Sequence, residues 1–296
     1  MHLNPYVLLV LTTLFWSGNF VLARFTHADI PPLALSFWRW AGAGLILLPF
    51  VIGPIRRQWP LIVKHWKLMV LLGVLGVANF NSFVYLGLQH TTATNAVLIN
   101  SAMPLEILAL AWLLFRTPVS AWQWIGVLTS MIGVGVIIIA GQADGAPGLE
   151  VNRGDLWIVA AGLSWALYSV LLRRRPEGLD PMAFLGTAIV IGVMVITPFW
   201  LWEHTQVRAM TWDQTSILMV IYVSIFPSLL AYIFWNKAVS EVGPGTAGQF
   251  IHLMPLFGTT LAVLLVDERP GWHHLAGAIL ILAGIITAER NKPRTR

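Results

Sequence analysis

Apolar runs of about 20 residues, the length a helix needs to cross a bilayer, separated by short polar breaks, fill this 296-residue chain and leave little else. They fall near residues 5–25, 31–52, 67–88, 92–115, 122–140, 154–173, 181–202, 213–237, 245–266 and 272–288. Lipid offers the backbone no hydrogen-bond partners, so each run must satisfy itself as a helix. The reading is an all-α polytopic membrane protein with ten transmembrane helices. Charged residues make up 10% of the chain, against about 25% in an average soluble domain, which leaves no room for a sizeable globular part. The chain has no cysteine, which excludes disulfide frameworks, thiolate metal sites and thiol nucleophiles. Its net charge of +5 reports topology before anything else, and no nucleic-acid partner is expected. The first run is too long for a signal-peptide core and lacks a basic leader, so it is read as a retained span.

Basic residues set the direction of threading. With the N-terminus in the cytoplasm, the inside segments hold Arg56, Arg57, Lys64, Lys67, Arg116, Arg173, Arg174, Arg175, Lys237, Arg290, Lys292, Arg294 and Arg296. The outside segments hold Arg24, Arg153, Arg208 and Arg269, and Arg39 lies within a span. That thirteen-to-four bias places both termini in the cytoplasm and supports an even number of spans. Trp59, Trp66, Trp122, Trp124, Trp200, Trp202, Trp212 and Trp272 sit near span ends, where indoles anchor a protein to the lipid interface.

The chain also matches itself. At an offset of 149, Trp16 falls on Trp165, Arg24 on Arg173 and Pro32 on Pro181. At an offset of 151, Met103-Pro104-Leu105 falls on Met254-Pro255-Leu256, Gly126 on Gly277 and Gly133 on Gly284. The units are residues 1–145 and 150–290, followed by a basic cytoplasmic tail, 291–296. Five spans per unit force the second copy to run upside down. Such inverted repeats are common in secondary transporters, because two equivalent halves can exchange conformations.

The repeat points at a site. Pro104 and Pro255 each remove a backbone donor and are expected to kink spans four and nine. Those spans begin with the small residues Ala93-Thr94-Asn95-Ala96 and Gly243-Pro244-Gly245-Thr246-Ala247-Gly248. The 3–4 hairpin outside and the 8–9 hairpin inside are read as opposing gates. Two formal charges lie well within spans, Arg39 and Glu106, and such charges are functional candidates by default. Arg39 is either structural, bonded to backbone carbonyls or snorkelling outward, or paired with Glu106. Glu106 is the candidate proton carrier, with ordinary hydrogen bonding as the alternative.

Neutral groups are richer. Trp16 and Asn19 share a helix face, as do their counterparts Trp165 and Tyr168. Asn81 maps onto Tyr232 and Tyr85 onto Asn236, an exchange of amide and phenol. Asn100 lies near one kink, and Gln249 and His252 near the other. The plain alternative for each is helix–helix hydrogen bonding; as a set they read as the lining of an aqueous cavity. Aromatic faces and neutral donors suit a small neutral or zwitterionic solute. A phosphate would want several Arg or Lys, and a metal would want convergent carboxylates or histidines; His273 and His274 lack further ligands. No cofactor is expected. G-x-x-x-x-G-K-[ST], H-E-x-x-H and G-x-S-x-G do not occur, so this chain carries no ATPase motif, and a transporter is favoured over an intramembrane enzyme or scaffold.

The layout resembles the EamA branch of the drug/metabolite transporter superfamily. The residues that carry the likeness are Leu14-Phe15-Trp16-Ser17-Gly18-Asn19-Phe20, Trp38-Arg39, Met103-Pro104, Met254-Pro255, Asp267-Glu268 and the glycines of spans five and ten. One departure is Arg116-Thr117, where the family often has an acidic residue after span four. Within that branch the chain is similar to bacterial inner-membrane exporters of aromatic and other neutral amino acids. The resemblance implies ten helices, an inverted repeat, a central cavity and amino acids as substrates. Nucleosides, sugars or lipophilic drugs are the alternative cargo.

Overall fold

The computed structural model describes residues 3–26, 29–91, 96, 99–141, 153–266 and 272–290. Residues 92–95, Asp267-Glu268, the tail 291–296 and the side chains of Arg24, His273 and His274, all used in the sequence reading, lie outside the described part. Among the described residues the structure is all-helical. The helices are α1 (Pro5–Thr26), α2 (Pro32–Lys64), α3 (Trp66–Gly87), α4 (Met103–Phe115) and α5 (Ala121–Gly141). Then come α6 (Arg153–Arg174), α7 (Pro181–Val207) and α8 (Gln214–Val242). A composite α9 runs through Pro244–Gln249, a 3-10 turn Phe250–His252 and Leu253–Val266, before α10 (Trp272–Arg290). The first three and α6 to α8 are long and apolar enough to cross a membrane unaided; Met103–Phe115, Ala121–Val136 and Leu275–Ala288 are shorter apolar stretches.

Polarity is distributed as lipid requires. Leu45, Phe50, Leu156, Met194 and Leu275 are each about two-thirds exposed, whereas Asn19, Arg39, Asn81 and Asn236 are buried. An apolar perimeter of this extent on a water-facing protein would drive aggregation. Around a bundle in hydrocarbon it costs nothing, and the polar groups must find partners inside.

Contacts between helices fix their directions. Phe15 meets Phe226 and Thr12 reaches the Ala231 carbonyl, so α1 runs against α8. Phe83 meets Trp157, while Ser164 donates to the Leu75 carbonyl, so α3 runs against α6. Tyr6 lies on Phe250 and Ser17 donates to Met254 O, which makes α1 and α9 parallel. His252 meets Ser101 and Gly245 packs on Leu108, so α9 opposes α4. Glu106 lies beside Gly162 and the Arg174 guanidinium lies over Phe115, so α4 and α6 are parallel. Chained together, these relations make α1 and α6 antiparallel. The tightest crossing is α5 on α10. A Cβ on Gly126 would stand 2.5 Å from the Gly284 carbonyl, and one on Gly133 would stand 2.8 Å from the Gly277 carbonyl. Glycine is required there because the two backbones touch.

Three local features depart from the sequence pattern. The second span was expected to end near residue 52, yet α2 continues to Lys64 through Pro49, Pro54 and Pro60. The carbonyls those prolines free belong to Leu45, Phe50 and Arg56, all on the exposed side, so no buried contact depends on the lost bonds. Secondly, α3 and α8 carry π-helical segments, Val74–Asn79 and Ser224–Leu230, at positions matched by the 151 offset. Thirdly, the disturbance expected at Pro104 and Pro255 sits just ahead of each proline. A turn at Ser101-Ala102 precedes α4, and the 3-10 turn Phe250–His252 interrupts α9. Each proline has no N–H for the carbonyl four residues back, Asn100 or Ile251, and the helix relaxes there.

Helix starts are capped by carboxylates. Asp180 accepts from Met182 and Ala183 N–H at 2.8 and 3.1 Å, opening α7. Asp213 accepts from Ser216 N–H at 2.7 Å, opening α8, and that bond holds its carboxyl below the ordinary aspartate value. At α2 the N-cap is Pro31, which has no capping group. Glu203, from the end of α7, takes its place by accepting from Leu33 and Ala34 N–H at 3.1 and 2.7 Å.

Candidate functional site

The centre of the bundle is aromatic. Trp16 of α1 meets Trp165 of α6 edge-to-face, with ring centres 4.9 Å apart, and Trp235 of α8 lies 5.2 and 5.4 Å from the two. Tyr232, one turn before Trp235, stands edge-on to Trp165 at 5.3 Å and to Trp40 at 4.8 Å. Phe80 and Tyr168 complete the cluster against Trp165. Edge-to-face packing sets the positive rim of one ring on the negative face of the next, so the rings fill one another's space.

The π segments serve this cluster. A π turn shifts the hydrogen-bond register and leaves carbonyls for other donors, which is one reason such turns mark functional sites. Trp16 Nε1 donates to the Pro227 carbonyl at 3.2 Å, and the Tyr232 hydroxyl donates to the Gly76 carbonyl. Gly76 also makes room: a Cβ there would stand 2.5 Å from the Tyr168 ring.

Two phenol–amide pairs flank the rings. The Tyr85 hydroxyl donates to Asn19 Oδ1 at 2.8 Å, joining α3 to α1. The Tyr168 hydroxyl donates to Asn236 Oδ1 at 2.8 Å, joining α6 to α8. These pairs are repeat counterparts with the two chemistries exchanged. Arg39 enters the first pair alone. Fully buried, it donates through Nη1 to Tyr85 Oη at 2.6 Å and Asn81 Oδ1 at 2.7 Å, and through Nε to Ser228 Oγ at 2.8 Å. Ser228 in turn donates to the Val223 carbonyl and Asn81 Nδ2 to the Tyr232 hydroxyl, at 2.6 and 3.4 Å. Protons are thus donated outward from the guanidinium to oxygens of α1, α3 and α8.

Open space lies at one end. A vestibule of about 800 Å³ is lined by residues that include Leu108, Gln123, Arg173, Arg175, Glu241 and Gly245. Asn236 is the member of the predicted lining set that reaches it. The aqueous central cavity expected from the sequence is not open in this conformation. Between Trp16, Asn19, Asn81 and Trp165 the void is about 10 Å³, about one water at most, because the rings pack against each other.

The remaining predicted residues are scattered around this core. Asn100 is buried with neither amide atom bonded among the described residues, beside a void of about 10 Å³ next to Pro255 and Met254. His252 is fully buried, its Nε2 2.9 Å from the Ser101 carbonyl, and Gln249 reaches Gly245 O at 3.5 Å. Glu106 does not pair with Arg39, whose partners are all neutral. It sits in the first turn of α4 beside Gly162, with Oε2 unbonded among the described residues. Of the proposed gate segments, Gly243 to Thr246 line the vestibule, while 92–95 lie outside the described residues. Trp200 is stacked on Phe37 at 3.9 Å. Sequence reasoning missed Trp235, Trp40 and Ser228. The repeat could not flag them, since Trp235 falls on Val84 and Trp40 on an aliphatic stretch, residues 189–191.

An apolar-faced helical bundle with a polar, aromatic interior and a vestibule at one end is a multi-pass membrane protein. The EamA-like transporter family model matches residues 3–139 and again 152–288. The chain belongs to that family: it is a membrane transporter of small solutes, not an enzyme. It is 28% identical over 291 residues to the uncharacterized transporter YyaM of Bacillus subtilis, covering 97% of this chain and 94% of that one. An uncharacterized transporter of Archaeoglobus fulgidus is 27% identical, covering 96% and 97%. Protein PecM of Dickeya dadantii is 26% identical, covering 91% and 86%. A solved crystal structure shares the fold, with a TM-score of 0.77 over 98% of this chain and 99% of that chain at 19% identity.

Proposed function

We propose that the chain is a secondary transporter that exports small neutral or zwitterionic solutes across the bacterial inner membrane by alternating access. Aromatic and other apolar neutral amino acids are the foremost cargo. In this reading ten spans form two inverted five-helix units, 1–145 and 150–290, and both termini lie in the cytoplasm with the tail 291–296. The observation that carries it is the pair of phenol–amide contacts, Asn19–Tyr85 and Tyr168–Asn236, on repeat-related residues to either side of one aromatic cluster. Each is suited to close one end of a shared path, and exchange of conformation between halves would open one as the other closes.

Packing supports the two-fold relation. The contact of α1 with α8 has its counterpart in α6 with α3, that of α1 with α9 in α6 with α4, and that of α2 with α8 in α7 with α3. The matched glycines cross over, Gly126 on Gly284 and Gly133 on Gly277, as a two-fold axis between α5 and α10 would demand. The opposite directions of α1 and α6 agree with inversion. Arg173 and Arg175 line the vestibule beside Glu177 and Glu241, and the positive-inside bias supports reading it as the cytoplasmic entrance. A solute would pass Tyr168–Asn236, rest against Trp16, Trp165 and Trp235, and leave through the Arg39 side. The rings suit an apolar side chain and the neutral amides and phenols suit zwitterionic ends.

Flux from proteoliposomes tests this with leucine, phenylalanine, tryptophan, uridine, glucose and a lipophilic cation. Neutral amino acids are expected to move, and Trp165→Ala and Tyr232→Ala to stop them. Movement of uridine, glucose or the cation alone would replace the cargo assignment. Movement of none would remove export as the function.

A further inference from the structure

Arg39 is a fully buried guanidinium whose three acceptors, Ser228, Asn81 and Tyr85, are all neutral. Guanidinium is a planar fork built for bidentate bonding to a carboxylate, and here it is held by neutral oxygens instead. A buried cation without a counter-charge is also poorly compensated for its lost hydration. The Arg39 partners are not incidental: Asn81 bonds Tyr232 of the aromatic cluster, and Tyr85 bonds Asn19 of the contact that closes this end.

Resting on the solute path proposed above, we infer that Arg39 is the receptor for a carboxylate on the transported solute. The solute's carboxylate takes Arg39 away from Asn81 and Tyr85 and so loosens the contact among α1, α2, α3 and α8. Arg39 already makes charge-assisted bonds to the phenol and the amide, but a carboxylate adds a full opposite charge and bidentate geometry, so a carboxylate arriving at the rings displaces both. A ligand shifts a conformational balance only by its differential affinity for the two states. An acceptor that Arg39 can reach only by leaving Tyr85 supplies that difference. Recognition and opening are then one event, and the cargo class narrows to carboxylate-bearing solutes, with nucleosides and sugars excluded.

The test compares leucine with leucinamide, which keeps the amine and the side chain but lacks the carboxylate, using the full-length protein in liposomes. Wild type is expected to move leucine at least about tenfold faster, since a site built around a polar contact rejects the analogue lacking it. Arg39→Gln is expected to bring leucine down to the leucinamide rate. Asn81→Asp, nearly isosteric, places a permanent carboxylate against Arg39; it is expected to slow leucine flux by at least about tenfold while raising the melting temperature. Equal leucine and leucinamide flux in wild type would overturn the inference, as would wild-type leucine flux in Asn81→Asp or a folded Arg39→Gln that keeps the preference. If Arg39→Gln does not fold, Asn81→Asp and the wild-type ratio decide. Flux confined to uridine or glucose overturns this inference and leaves transport standing, whereas no flux of any solute removes both.

Discussion

The Asn19–Tyr85 and Tyr168–Asn236 contacts are made of the same two side chains at the same length, with the helices that supply them exchanged. Their surroundings differ. The first is tied to a buried guanidinium that also holds Asn81 and Ser228. The second has no such group: the positions matching Arg39 fall on the aliphatic stretch Ala188 to Val190, and its Asn236 borders the vestibule. A phenol–amide bond alone contributes about 1 kcal/mol, little enough to open and close. A bond that shares its oxygen with a buried cation must give up two contacts to open. Identical pairs can thus be given unequal strength by one added residue, and among the described residues the pair that borders the vestibule is the one without it.

Accessibility offers the largest contrast. The native chain has no cysteine, so single cysteines report cleanly. Asn236→Cys is expected to react with a charged, membrane-impermeant maleimide more than about tenfold faster than Asn19→Cys, because access and not thiol chemistry differs. Equal rates at the two sites would mean that the difference between the ends does not survive in the membrane.

Exchanging the partners sharpens the comparison. Tyr168→Asn with Asn236→Tyr gives the vestibule pair the order found in the other half, and Asn19→Tyr with Tyr85→Asn does the converse. Each single change leaves two like groups facing each other and is expected to cut leucine flux by about tenfold, the equivalent of one lost bond and some strain. The double exchange should restore most of the flux at Tyr168–Asn236, since among the described residues no further side-chain hydrogen bond holds that pair. It should restore much less at Asn19–Tyr85, where the Tyr85 oxygen also receives Arg39. Similar recovery in both cycles would deny Arg39 any part in the asymmetry.

This asymmetry shows what was legible in the sequence. The six long apolar helices were, because lipid demands long apolar runs, and the four members of the phenol–amide pairs stood out because the sequence offsets set unlike residues opposite one another. Contacts that break the repeat were not. Trp235 and Trp40 have aliphatic counterparts, so self-comparison passed over rings that fill the centre. The packed state of that centre was also hidden: residue types that line a path when it is open are the same ones that seal it when shut. Prolines near the end of α2 read as a stop, although the carbonyls they free face outward and the helix continues.

Helix capping repeats the comparison at a distance from the rings. Asp180 caps its own helix, while its repeat counterpart Pro31 cannot, and Glu203 serves instead from the end of α7. Both Asp180→Ala and Glu203→Ala remove two acceptor bonds at a helix start, and each is expected to lower stability by about 1–2 kcal/mol. Only Glu203→Ala also cuts a tie between two helices, α7 and α2. It should therefore shift the balance of labelling between Asn19→Cys and Asn236→Cys, whereas Asp180→Ala should lower the melting temperature and leave that balance alone. Thermal denaturation and the labelling ratio together separate the two roles.

The smallest effect concerns the two carbonyls of the π segments. Pro227 O accepts from Trp16, and by the repeat Gly76 O would accept from Trp165, yet Tyr232 has taken that place and Trp165 Nε1 is unbonded among the described residues. Tyr232→Phe removes the competitor and keeps the ring against Trp165 and Trp40. The indole of Trp165 can then turn to Gly76 O and reproduce in the second half the bond that Trp16 makes in the first. One hydrogen bond replaces another at Gly76 O, and the only other bond lost is the long one from Asn81 Nδ2 at 3.4 Å, so the stability change is expected to stay at about 1 kcal/mol. If no donor replaces the phenol, a buried carbonyl is left unsatisfied and the loss rises to about 1–3 kcal/mol. Indole fluorescence distinguishes the cases: a red shift and a small stability change mark the symmetric bond, and a larger loss without a shift means that Gly76 belongs to Tyr232 alone.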